Sequence, residues 1–261
     1  MTIIFFHGLG SSVKLLYKDD FIKQLKKIDA FFIAEIPYPN VYYYSKDKKN
    51  YKPIDHLDYD DLALDKYITN LCGIMDKKIF KPPYILMASS HGIYYAYEFA
   101  RQFKKDIKYI ISLDGSWITN KLNKKRLLDW KKKGKNIPKI NNQKALDDIM
   151  DKIYNEKDNS KYIQMIFDYV RGTHTKFCIK QNYEKINIPC ITFRDFNIDI
   201  KDEIMEQHNK NVSEENKILS KYNNHIIYTL LDASHKIWEQ YNYKNTIIQT
   251  IKLLVHPKKL V

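Results

Sequence analysis

Cysteine is nearly absent from this chain. Cys72, Cys178 and Cys190 are an odd count with no C-x-x-C spacing. That excludes a disulfide-stapled fold and a zinc site, and it fits reduced thiols. Long apolar runs are missing too. None approaches the roughly 20 residues that cross a bilayer, so no transmembrane segment is expected. The opening Thr2-Ile3-Ile4-Phe5-Phe6 is too short for the apolar stretch of a secretory signal and runs straight into a glycine turn. A soluble, cytoplasmic protein is expected. Arginine is rare: Arg101, Arg126, Arg171 and Arg194 are four among 44 basic residues. The net charge of +13 is therefore almost entirely lysine. Readers of bases and phosphates favour arginine, so the composition argues against specific nucleic-acid recognition. Abundant Lys, Asn, Tyr and Ile with only seven glycines match AT-rich coding, which accounts for the charge without a partner.

What is present is a globular composition, 44% apolar over 261 residues. That is enough chain for an ample core without staples. Short apolar runs alternate with longer segments of helical period. Thr2–Phe6, Ala30–Ile36, Tyr84–Met87, Ile107–Leu113, Pro189–Arg194 and His225–Leu231 read as strands. Helices are expected from Ser12 to about Lys27, Tyr59 to Lys77, His91 to Phe103, Lys201 to Tyr222, and His235 to Val255. Pro37-Tyr38-Pro39-Asn40 opens a long aromatic loop, and no internal repeat is present. Strands of five to seven apolar residues separated by helices predict a mostly parallel sheet covered on both faces. Residues 117–183 break the alternation with lysine-rich helical sequence. They read as an insertion dividing a core of 1–116 and 184–261.

The stretch Ala88-Ser89-Ser90-His91-Gly92 follows an apolar strand and opens a helix. A serine between small residues at a strand end is the pattern of a nucleophile elbow. The turn is so tight that the side chains two before and two after the nucleophile must be small. Ala88 and Gly92 satisfy this for Ser90; Met87 does not satisfy it for Ser89. In an open parallel sheet, functional groups collect where strands end. Four such ends carry His7-Gly8-Leu9-Gly10, then Ser90, then Asp195 and Asp199, then Asp232-Ala233-Ser234-His235.

On these residues the chain resembles the α/β-hydrolases. The likeness is strongest at Phe6-His7-Gly8-Leu9-Gly10-Ser11-Ser12, at the elbow, and at Ser234-His235. Ile188-Pro189-Cys190-Ile191-Thr192-Phe193-Arg194 is similar to the strand before the family's acid. The resemblance implies an α/β-hydrolase fold with a minimal N-terminus and a helical cap at 117–183. It implies Ser90 as nucleophile and His235 as base, with backbone N–H groups of Leu9 and His91 forming an oxyanion hole. Asp199 is the expected acid, with Asp195 and then Asp114 as alternatives. His7 is expected to shape its turn by hydrogen bonding. His91 is bulky for its place and would crowd the acyl pocket. Cleavage of carboxylic esters or thioesters needs no metal or cofactor, and the partner is a small or lipid-like acyl substrate. Tyr38–Tyr44, Trp117, Trp130, Phe167 and Tyr169 are candidates for an apolar substrate pocket. A non-catalytic binding protein on the same scaffold is the alternative.

Overall fold

The computed structural model describes residues 1–9, 11, 16, 18–34, 36, 63–77, 80–115, 120–132, 138–156, 158–181, 186–199 and 201–257. Six parallel strands form one sheet: β1 (Thr2–Phe6), β2 (Ala30–Ala34), β3 (Tyr84–Ser89), β4 (Ile107–Leu113), β5 (Cys190–Phe196) and β6 (His225–Leu231). Their order across the sheet is β2-β1-β3-β4-β5-β6. Every residue of β1 and β3 is buried, as expected of central parallel strands covered on both faces. At the edge, β6 leaves Ile226, Tyr228 and Leu231 exposed.

Side chains alternate across the strands, so the two sheet faces build two cores. Ile4, Phe6, Leu86, Ala88 and Ile110 join one cluster, while Ile3, Phe5, Ile85, Met87 and Ile111 join the other. The first is covered by α2 (Leu64–Lys77) and α3 (Ile93–Gln102), the second by α1 (Asp20–Leu25) and α8 (Tyr241–Val255). Helix α3 is buried over Ile93–Ala100, which seats the elbow helix firmly on the sheet. Between β4 and β5 lie α4 (Asn120–Lys132), α5 (Gln143–Asn155) and α6 (Ser160–Gln181). Their apolar residues, among them Leu146, Ile153, Ile166 and Val170, belong to the same cluster as the first sheet face. Helix α7 (Glu203–Leu219) connects β5 to β6.

Local chemistry sets several helix starts. Asp19, Asn142 and Asp202 each accept a hydrogen bond from a first-turn backbone N–H, at α1, α5 and α7. The cap on α1 is Asp19; Ser12, expected to start that helix, lies outside the described residues, as do Gly10, the aromatic loop 38–44 and Trp117. Strand β5 runs two residues past its expected end at Arg194. The last helix begins at Tyr241, so His235 sits in the connection after β6 rather than on the helix. No helix among the described residues is long and apolar enough to cross a membrane.

Candidate active site

The polypeptide leaves β3 through a single 3-10 turn, Ser90–Gly92, before α3 begins. Ser90 takes a left-handed φ of 49°, a conformation that a non-glycine residue adopts only under local constraint. The crowding behind this turn is measurable. A methyl group on Gly92 would lie 2.3 Å from the Phe6 carbonyl oxygen and 2.6 Å from that of His7. Gly92 itself has an ordinary φ of −55°, so the demand here is for space and not for conformational freedom. A methyl on Gly8 would stand 3.0 Å from Ser90 Cβ, which brings the turn after β1 against the serine.

That turn is held by His7. Its imidazole is fully buried; Nδ1–H donates to the Gly8 carbonyl at 3.0 Å, and Nε2 accepts the Ile36 N–H at 3.2 Å. Burial pushes the pKa of His7 down to about 4, so the ring is neutral. This is the shaping role expected of it. His91, next to Ser90, lines the cavity described below, and Nε2 meets Nδ1 of His174 from α6 at 3.0 Å. Both rings are buried, and burial, followed by the neighbouring His174, holds His91 well below its ordinary pKa.

Three strands leave the sheet through left-handed residues at the same edge: Ser90 after β3, Asp114 (φ 50°) after β4 and Asp232 (φ 52°) after β6. These are the non-glycine residues of positive φ among those described. The turn after β4 is packed against the elbow, since a methyl on Gly115 would lie 2.9 Å from the Ser90 carbonyl oxygen. Here Asp114 Oδ2 accepts a hydrogen bond from Nδ1 of His235. This bond, set against burial, raises the pKa of His235. Burial first, then the neighbouring carboxyl of Asp195, raises that of Asp114, against the pull of His235 and Arg194. Ser90, Asp114 and His235 line one cavity of about 460 Å³.

No protein-family model matches the sequence, and no match is found among curated proteins. Solved structures are. Mouse alpha/beta hydrolase domain-containing protein 10 superposes with a TM-score of 0.51 at 13% identity, covering 98% of this chain and 90% of that one. The Paleococcus ferrophilus monoacylglycerol lipase gives 0.52 at 15%, covering 97% and 93%. The RedJ thioesterase of Streptomyces coelicolor gives 0.51 at 11%, covering 97% and 90%. The chain has the α/β-hydrolase fold.

Within this hydrolase fold the expected site residues separate. Ser90, His91 and His235 reach the cavity. Asp199 does not: it is exposed, beyond the end of β5, and is not part of the cavity wall. The physical reason is the longer strand. Arg194, Asp195 and Phe196 continue the ladder with β6, so the chain is still in the sheet where the sequence suggested a turn. Asp195, the first alternative, is buried in that strand and bonds to His208 at 2.9 Å. The carboxylate beside His235 is the third candidate, Asp114.

Other parts of the wall carry no obvious local signal. Arg194 Nη2 meets Glu215 at 2.5 Å and its Nη1 lies 3.6 Å from Asp114. Arg126 reaches the same Glu215 at 3.0 Å and donates to Tyr94 Oη at 3.0 Å. Arg126, Arg171 and Arg194 all line the cavity, three of the four arginines in the chain. The rarity of arginine in the sequence is the available signal for this wall. The apolar pocket is corrected as well. Trp130 lines the cavity, but Phe167 and Tyr169 are buried in the core, and most of the wall is polar or charged.

Proposed function

We propose that this chain is a serine hydrolase acting on carboxylic esters or thioesters through Ser90, His235 and Asp114, with residues 117–183 as a cap over a cytoplasmic active site. The observation that carries the reading is a serine held at positive φ in a strand-to-helix turn, on the same cavity as a bonded His235–Asp114 pair. The lipase and the thioesterase among the structural neighbours support it at the level of the fold.

In this scheme Ser90 Oγ attacks the acyl carbonyl carbon while His235 Nε2 takes its proton. Asp114 holds the Nδ1–H of His235, which fixes the tautomer and offsets the imidazolium charge. The carbonyl oxygen becomes an oxyanion facing the backbone N–H groups of Leu9 and His91. Collapse breaks the bond to the leaving group, which departs with the proton from His235, and Ser90 keeps the acyl group. Water then attacks the acyl-enzyme, giving its proton to His235. A second collapse returns that proton to Ser90 and releases the acid. One oxyanion donor is worth about 2.7–4 kcal/mol of transition-state stabilisation. The wall of Lys125, Arg126, Arg171, Glu214 and Glu215 favours a polar substrate over a long alkyl chain.

A fluorophosphonate probe tests the nucleophile. Wild type is expected to be labelled at Ser90, and Ser90→Ala to be blank. Well-folded wild-type protein that takes no label would favour a binding protein on the same scaffold. Labelling confined to Ser89 would move the nucleophile.

A further inference from the structure

Behind the His235–Asp114 pair stands a second acid–imidazole pair. Asp195 of β5 holds Nε2 of His208, on α7, at 2.9 Å. Asp114 directly follows β4 and Asp195 lies near the end of the neighbouring β5, where Leu113 pairs with Phe193. The two strands fix this approach, because Asp114 N–H donates to the Phe193 carbonyl at 2.8 Å. Helix α7 is pinned to the end of β5 by Asn209, whose amide side chain bonds Asn197 N–H at 2.9 Å and Asn197 C=O at 2.6 Å. The oxygen Asp114 Oδ1 is buried and receives no hydrogen bond from an N–H or hydroxyl group.

The charged groups facing this cluster are few. Arg194 lies against Asp114 from β5, and Glu215 from α7 binds Arg194 and, on its other side, Arg126 of α4. His235 approaches from the connection after β6, and His208 from α7. The order is thus His235, Asp114, Asp195, His208, with both imidazoles at the cavity wall.

We propose that Asp195 and His208 are positioning residues that act on His235 through Asp114, with opposite signs. The proposal rests on the hydrolase reading above for its kinetic consequence, but not for its electrostatics. Asp195 sets a second negative charge behind Asp114 and so favours the imidazolium of His235. His208, when protonated, cancels that charge and disfavours it. The charge directions agree. Burial works against ionisation of Asp195, yet the bonds to His208 and Asp114 hold its pKa below the ordinary carboxylate value. The bond to Asp195 raises the pKa of His208.

The test is the pKa of His235, read by NMR titration of its ring protons in wild type, Asp195→Asn and His208→Gln. The resonance is assigned by its loss in His235→Gln. Asp195→Asn is expected to lower the value and His208→Gln to raise it, each by roughly half a pH unit, as for one charge removed from a partly solvated cluster. The acid side of the kcat/KM profile, which reports the free enzyme's base, should move the same way. One unit below the wild-type midpoint, Asp195→Asn then retains about threefold more activity relative to its plateau, and His208→Gln about threefold less. Shifts of the same sign, or none in protein with native circular dichroism, overturn the proposal. Should Asp195→Asn fail to fold, His208→Gln decides alone, because its side chain is partly exposed. Absence of any ester turnover in wild type would refute the hydrolase reading and leave the titration intact as a test of the pair.

Discussion

Lowering the pH should destabilise this protein well before its carboxylates titrate, and the magnitude follows from His7. The ring is fully buried, and Nε2 accepts the Ile36 N–H. Protonation would place an N–H against an N–H and a charge in a dry site. The folded pKa is about 4, against an ordinary value of 6.5. Between those values the unfolded chain binds the proton and the folded chain does not, so stability falls as the pH falls. One proton changes stability by about 1.4 kcal/mol per pH unit, so the drop from pH 6.5 to 4 costs about 3 kcal/mol. That is a large share of an ordinary domain's 5–15 kcal/mol. Burial also lowers His91 and takes His225 to about 4, so both act in the same direction. The assay is urea unfolding followed by circular dichroism at half-unit steps from pH 7 to 4.5, on wild type and His7→Gln. The variant should be less stable at pH 7, with an Ile36 N–H left poorly paired, but its dependence on pH should be shallower by about one proton's slope. A wild-type stability that stays flat from pH 6.5 to 4.5 would mean that His7 is not held neutral by the fold. So would a variant with the full wild-type slope.

Other consequences are as direct. Gly92→Ala forces a methyl to within 2.3 Å of backbone oxygen, so the elbow helix must shift from β1; a loss of about 1–3 kcal/mol in stability and a sharp fall in probe labelling at Ser90 are expected. Full labelling at native stability would show the turn to be loose. Glu215→Ala leaves buried Arg194, and half-buried Arg126, without the carboxylate they share, which should cost about 3–5 kcal/mol and lower the Tm by roughly 10 °C in a thermal melt. An unchanged Tm would mean that the pairing contributes nothing. Of the cysteines, Cys178 and Cys190 are buried, and burial pushes the Cys190 thiol up to about 12. A disulfide-exchange reagent should therefore meet Cys72 first in native protein and all three only in denaturant; rapid reaction of three native thiols would contradict the packing.

The parts of the fold that could be read from sequence are those set by local rules. Buried parallel strands are near-continuous apolar runs, so β1 and β4 stand where the pattern places them. The elbow was legible because its sterics demand small residues at 88 and 92. His235 was legible because it follows the last strand. The proposed acid is not, because the sequence places the end of β5 at Arg194 and a turn after it. Arg194 and Asp195 are charged yet lie inside β5, each compensated by a partner distant in sequence, Glu215 and His208. Nor does a sequence state which strand end lies beside His235. Asp114 wins that place because the turns after β3 and β4 are packed together. The same blindness hid the cavity wall, where Arg126, Arg171 and Arg194 converge from three separate elements.

In the proposed mechanism Asp114, and not Asp199, supports His235 beside Ser90. The decisive measurement is turnover of p-nitrophenyl acetate by wild type, Asp114→Asn and Asp199→Asn at pH 8. The account predicts a loss on the order of 10⁴-fold in kcat for Asp114→Asn, from the wrong imidazole tautomer, and near wild-type turnover for Asp199→Asn. The reverse pattern, with Asp199→Asn crippled and Asp114→Asn active, would contradict it.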